Sequence, residues 1–221
     1  FPSEYESDAF VSLFSGNLPD GTSLPFSFVE VFFHSILASG SQALFATILT
    51  AMAGYAFAKY RFRWKNILFL LAILVILVPR QALAVPLFEW LTQLNLNGSL
   101  WAIILPGAAS GIGVIFFTQI FRRVPDSLMD LAQVEGASEA RTFLVLLPLV
   151  SPALVTYGLI HFILAWQEHL FPLLLLTDDN QVLPLALAKL RDSSYRIPEA
   201  VSMAAATCSL LPVAILFAIF H

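Results

Sequence analysis

The chain has 221 residues, 58% of them hydrophobic and 12% charged, with 20 Phe and a formal net charge of −4. Soluble domains carry about a quarter charged residues, so this composition, with a mean hydropathy of +0.82, excludes an ordinary soluble globule and points to a membrane protein. The net charge says little about partners, because the charges of such a chain are divided between two membrane faces, and the single Cys208 permits no internal disulfide.

Residues 1–30, with Pro2, Pro19, Pro25 and five acids, read as an external segment leading into the first span. Stretches 31–58, 99–121, 142–167 and 200–220 contain no Asp, Glu, Lys or Arg, and 66–88 contains only Arg80. A helix needs roughly 20 apolar residues to cross the hydrocarbon core, and lipid leaves the backbone no other solution, so five helical spans are predicted. The fold class is all-α, a polytopic membrane helical bundle. The chain starts at Phe1 and stops at His221 directly after an apolar run, which reads as a trimmed or partial chain.

Lys and Arg in short loops mark the cytoplasmic side. Loop 59–65 (KYRFRWK) holds four of the eleven basic residues and loop 122–141 holds three. Residues 1–30 and 89–98 hold none, and the longer loop 168–199 holds Lys189, Arg191 and Arg196. Seven against three places the N-terminus of this chain outside and the C-terminus in the cytoplasm. Tyr60, Trp64, Trp90, Trp101 and Trp166 stand near the span ends as interfacial anchors.

Two apolar pieces, LFPLLLL (170–176) and VLPLALA (182–188), are too short to cross and read as re-entrant or buried elements within the external loop 168–199. Small residues at Ser39-Gly40-Ser41, at Ala51, Ala53 and Gly54, and from Gly107 to Gly113 suit close helix packing, and Gly107–Gly111 forms a GxxxG pair. Pro79, Pro86, Pro106, Pro148, Pro152 and Pro212 predict kinked or broken helices.

One polar island interrupts this pattern. VPDSLMDLAQVEGASEARTF carries helix punctuation: Ser127 and Asp130 at capping-box spacing, Leu128, Leu131 and Val134 along one side, and Gly136 as the residue that stops the helix. Ser138 then caps a second helix running through Arg141 towards Pro148. An amphipathic helix lying on the bilayer is one reading. Its narrow stripe and four acids to one Arg across 126–141 suit a protein partner's groove as well.

The stretch DLAQVEGASEARTFLVLLPLVSPAL resembles the EAA loop of binding-protein-dependent ABC importer permeases. In that match Asp130 takes the place of the Glu, Leu131 and Ala132 the two alanines, Gly136 the glycine, and Leu147-Pro148 the closing Leu-Pro. Segment 57–106 and the run Trp166-Gln167-Glu168-His169-Leu170-Phe171-Pro172-Leu173 are similar to carbohydrate-importer permeases of the maltose-system type. The resemblance covers residues 30 to 221. Members of that family have six spans, so five spans starting outside implies a first helix ahead of this chain.

The resemblance implies that the polar island is a coupling helix, carried by Asp130, Ala132, Gln133, Glu135, Gly136 and Ser138. It also implies two cytoplasmic ATP-binding subunits, a second permease subunit (sister or identical), an external solute-binding protein delivering a sugar, and alternating access. This chain has no G-x-x-x-x-G-K-[ST], so ATP and Mg would be bound by the partner, and no cofactor or enzymatic activity is expected here. Arg80, Gln42, His161, Trp166 and Glu168 are the candidate solute-pathway residues, since polar groups within spans line paths or bond between helices. Arg80 has a local alternative, pairing with a carbonyl or acid at the Pro79 break. Trp166 and Glu168 have another, structural anchoring.

Two rival functions fit parts of this pattern. Ser110 and His161 imitate an intramembrane serine protease dyad, but the small residues around Ser110 explain it as helix packing. An ion-coupled secondary transporter suits the broken helices and Arg80, yet the spans contain no Asp or Glu to hold an ion. Four scattered His and one Cys make no metal site, and the basic loop 59–65 orients the protein without implying nucleic acid.

Overall fold

The computed structural model describes residues 8–220. Residues 1–7 of the expected external segment, Pro2 included, lie outside the described residues. The helices in chain order are α1 (Asp8–Ser15), α2 (Phe28–Lys59), α3 (Lys65–Leu77), α4 (Ala84–Gln93), α5 (Trp101–Gly107) and α6 (Gly111–Arg122). They are followed by α7 (Asp126–Val134), α8 (Glu139–Leu146), α9 (Ser151–Trp166), α10 (Leu170–Leu175), α11 (Leu183–Leu190) and α12 (Glu199–Phe220). Among the described residues extended pairing is limited to two isolated bridges.

Among the described residues three helical stretches are long and apolar enough to cross a membrane: Phe28–Lys59, Glu139–Trp166 and Glu199–Phe220. The second of these joins α8 to α9 through the tight turn Leu147–Val150, which accommodates Pro148 at a position where no amide hydrogen is needed. The remaining two apolar stretches are bent. Between α3 and α4 the axis turns by 99°, and between α5 and α6 by 43°, so the number of spans reaches five if each bent pair counts as one. With 13 residues, α3 is about 20 Å long, short of a hydrocarbon core of roughly 30 Å. The sharp turn falls at Pro79, whose ring removes an amide and excludes the preceding turn of helix.

By packing, the chain forms two units. One comprises Gly40–Leu87 and Ile104–Ala165. Its core joins Ala46, Ala51 and Tyr55 of α2, Phe117 and Phe121 of α6, Met129 of α7, Leu146 of α8 and Tyr157 of α9, with Val150 between the last two. Helices α3 and α6 meet where a Cβ on Gly111 would stand 2.3 Å from the Ala72 carbonyl oxygen, so only glycine permits this approach. The GxxxG pair is thus split. Gly107 closes α5 and Gly111 opens α6, and each serves a separate contact.

The other unit comprises residues up to Ser39, Phe88–Ile103 and Trp166 onward. Here α12 packs against α1 and α11. The two short apolar helices are held by hydrogen bonds from loop backbone. Leu183 N–H donates to the Ser35 hydroxyl at 2.6 Å, Gly98 N–H to the Leu175 carbonyl at 2.8 Å, and the Asn180 side-chain amide to the Gly98 carbonyl at 2.8 Å. Their apolar side chains are then free to bury: Phe171, Leu175, Leu183, Ala186 and Leu190 are all buried.

Candidate functional site

The corner between α7 and α8 is built from local backbone chemistry. Gly136 has φ +81°, the left-handed region that L side chains avoid. Around it the Ala137 N–H donates to the Ala132 carbonyl and the Gly136 N–H to the Gln133 carbonyl, both at 2.9 Å. This pair of bonds is a Schellman ending, and it satisfies carbonyls that the end of α7 would otherwise leave open. Two residues on, the Ser138 hydroxyl accepts from the Arg141 N–H at 3.4 Å and caps α8. Gly136 and Ser138 therefore do locally what their residue types suggest.

The start of α7 corrects the sequence reading. The cap position is occupied by Pro125, with no side-chain hydrogen bond, and Ser127 lies inside the first turn. No capping box links Ser127 to Asp130. Pro125 is the physical reason: its fixed φ of −59° directs the chain straight into the helix two residues earlier than the serine would.

Met129 and Ala132 form the buried side of α7, with Met129 plugged into the core. The other apolar residues face away: Leu131 is 57% and Val134 85% exposed. Asp130, Gln133 and Glu135 are exposed as well. Beside them lies a cleft of about 270 Å³ lined by Leu128, Leu131, Ala132, Glu135, Arg141 and Leu149. Of the predicted coupling residues, the structure brings Ala132 and Glu135 to this cleft. Asp130 and Gln133 stand elsewhere on the exposed surface of the helix.

The candidate pathway residues are divided between the two units, Gln42, Arg80 and His161 in one and Trp166 and Glu168 in the other. Gln42 and His161 converge: a Cβ on Gly107 would stand 2.1 Å from Gln42 Oε1, and His161 Nε2 lies 3.0 Å from the Gly107 carbonyl. A carbonyl only accepts, so Nε2 carries the proton and Nδ1 faces the Tyr157 hydroxyl at 3.5 Å. Ser110 is spoken for elsewhere, capping α6 by accepting from the Gly113 N–H at 3.2 Å. Both groups of the imitated dyad thus have structural partners. Arg80 is exposed and opens the tight turn Arg80–Leu83 directly after the Pro79 break.

In the other unit, Trp166 is buried, donates from Nε1 to the Ser209 carbonyl at 3.2 Å, and packs edge-on against Phe32. The Glu168 carboxylate accepts from the Leu170 N–H at 3.0 Å. Both act as braces of their own unit. Among the described residues no group of His, Cys, Asp and Glu could hold a metal ion.

Sequence reasoning gave Lys59 and Tyr60 no part in the site, counting the first as a charge that orients the loop and the second as an interfacial anchor. The Lys59 side chain is 4% exposed and paired with Asp126, 67 residues away. No local spacing signals such a pair.

Residues 46–221 match the model of the family described as binding-protein-dependent transport system inner membrane component. The chain is 32% identical over 192 residues to the arabinooligosaccharides transport system permease protein AraQ of Halalkalibacterium halodurans, covering 86% of this chain and 68% of that one. It is 30% identical over 193 residues to the sulfoquinovosyl glycerol transport system permease protein SmoH of Agrobacterium fabrum, covering 86% and 67%. A solved bacterial ABC transporter involved in the import of the acidic polysaccharide alginate matches 99% of this chain and 80% of its own, with a TM-score of 0.83 at 19% identity. At that identity the likeness concerns the fold.

Proposed function

The chain belongs to the family of binding-protein-dependent transport system inner membrane components, as a transmembrane permease subunit of an ABC importer, and from that premise we propose that its solute is a carbohydrate or glycoside. The relatives named for arabinooligosaccharides, sulfoquinovosyl glycerol and lactose support this substrate class. An ion-coupled carrier is not favoured by these relatives.

The observation that carries the working mechanism is α7, a short helix closed at its end by Gly136 and presenting exposed Leu131 and Val134 beside a cleft. Exposed apolar side chains on a rigid helix fit a protein groove. In this reading α7 docks into a cytoplasmic ATP-binding subunit, with Asp130, Gln133 and Glu135 contacting the rim and Gly136 and Ser138 fixing the corner. ATP and Mg are bound by that partner. A second permease subunit completes the bundle, and an external binding protein delivers the solute. The N-terminus of this chain is outside and its C-terminus in the cytoplasm, as the four basic residues of 59–65 direct.

Gln42 and His161, meeting at Gly107 within apolar helices, are the proposed polar step of the solute path. Arg80, at the Pro79 break, is a second. Trp166 and Glu168 are assigned to bracing.

The test is a cross-linker attached at Gln133→Cys in the full-length protein in its native membrane. Capture of a subunit carrying a phosphate-cradling ATPase motif is the expected result. Attachment only to lipid, or to nothing, overturns the docking role.

A further inference from the structure

The residues at the end of α2 grip the polar island from both sides. Lys59, the last residue of α2, donates from Nζ to the Val124 carbonyl at 2.5 Å and to the Asp126 carboxylate at 2.6 Å. Asp126 is the first residue of α7, so this clasp closes on the helix start. The next residue, Tyr60, donates from its hydroxyl to Glu139, the first residue of α8. That clasp closes just beyond the Gly136 corner. Two adjacent residues, the last of one long helix and the one after it, thus hold the two ends of the island.

Both clasps are rooted in rigid surroundings. The Lys59 side chain is 4% exposed, and its ammonium donates to the two oxygens. Tyr60 lies edge-on to Tyr55 at 5.5 Å, and Tyr55 packs on Phe121 of α6 and Phe143 of α8. The Tyr60 carbonyl in turn accepts from Lys65 Nζ, in the first residue of α3, at 2.8 Å. Acids at the starts of α7 and α8 suit the positive helix ends, and Lys59 suits the negative end of α2. Burial, reinforced by the bond to Glu139, pushes the Tyr60 hydroxyl well above its usual range and keeps it a donor.

We propose that Lys59 and Tyr60 are positioning residues that make the end of α2 and the short helix α7 move as one body, so that a displacement of α7 is delivered directly to α2. Any rocking of the bundle would then be driven through α2. This inference rests on the docking role proposed for α7.

The experiment places spin labels at Arg61→Cys and Gln133→Cys in a Cys208→Ala full-length permease assembled with its ATPase, diluted with unlabelled protein. The distance is read without nucleotide and with MgATP plus vanadate. The expected parent result is one narrow distance, the same in both states. In Lys59→Met/Tyr60→Phe the distribution should widen roughly twofold and depend on nucleotide, while Lys59→Arg keeps the parent's narrow peak. Asp126→Ala/Glu139→Ala removes the same bonds from exposed positions and should give the same widening if the buried variant fails to insert. A parent distance that shifts with nucleotide, or equal widths in all variants, overturns the proposal. Failure of the ATPase to co-purify with the parent overturns the docking role instead, and the nucleotide-free width still reads the clasp.

Discussion

The α7–α8 corner and the α10–α11 loop are both short, apolar and unable to cross a membrane, yet they spend their apolar side chains in opposite ways. The α10–α11 loop buries most of them: Leu175, Leu183, Ala186 and Leu190 are each 3% exposed or less, and Leu173 and Leu174 of α10 stay outside. It can do so because the Leu183 amide is satisfied by the Ser35 hydroxyl and the Leu175 carbonyl by the Gly98 amide, while the Asn180 side chain donates back to the Gly98 carbonyl. In the corner, α7 buries only Met129 and Ala132 and leaves Leu131 and Val134 outside. Each region also holds a Lys–Asp pair, but Lys59 is 4% exposed and Lys189 27%. One region covers all but two of its leucines within the chain. The other is locked in position with an apolar side left uncovered, which is what a docking element requires.

Removing a buried side chain from the α10–α11 region should have the largest effect. Leu183→Ala empties a site that is 1% exposed and should cost roughly 2–5 kcal/mol, read as a lowered thermal midpoint in detergent. By contrast, Val134→Asp should leave that midpoint nearly unmoved, within about 0.5 kcal/mol, while abolishing capture of the ATPase. A large drop in stability from Val134→Asp would erase the comparison.

Ser35→Ala orphans the buried Leu183 amide and should cost roughly 1–3 kcal/mol, seen as faster hydrogen exchange at Leu183. Gly136→Ala forces a side chain into the left-handed region at about 1–2 kcal/mol, seen as lost protection of the Ala137 amide. Its space is open, so the cost is conformational and confined to the corner.

The smallest effects concern the two ion pairs. Hydrogen bonds from Lys59 and Lys189 hold the carboxyls of Asp126 and Asp178 below their ordinary value of 3.8. A depressed carboxyl contributes fully above the unfolded value and loses that contribution only as pH falls through its folded one. Both pairs should therefore persist to below pH 3.8, followed by carboxylate chemical shifts. Raising salt at neutral pH should loosen the Lys189 pair before the Lys59 pair, because the more buried ammonium is less screened. Loosening in the reverse order would contradict the burial argument.

How much was legible before folding differs residue by residue. Gly136 and Ser138 were readable because a glycine stop and a serine cap act on backbone within a few residues. Ser127 and Asp130 had equally good spacing and failed, since Pro125 set the helix start first. Gln42 and His161 were readable as polar groups in apolar helices, but their meeting at Gly107 was not. Trp166 and Glu168 read as possible solute contacts or structural anchors, and their hydrogen bonds to Ser209 and Leu170 could not be read from spacing.

By itself the sequence determined that this is an all-helical membrane protein and, through the 130–154 stretch, to which family it belongs. Those properties depend on hydrophobicity summed along the chain and on contacts between near neighbours. Only the tertiary structure decided which short apolar helix is covered and which is bare, and that Lys59 and Tyr60 reach Asp126 and Glu139. Those outcomes depend on groups 67 and 79 positions apart, and hydrophobic periodicity carries no information over such a separation.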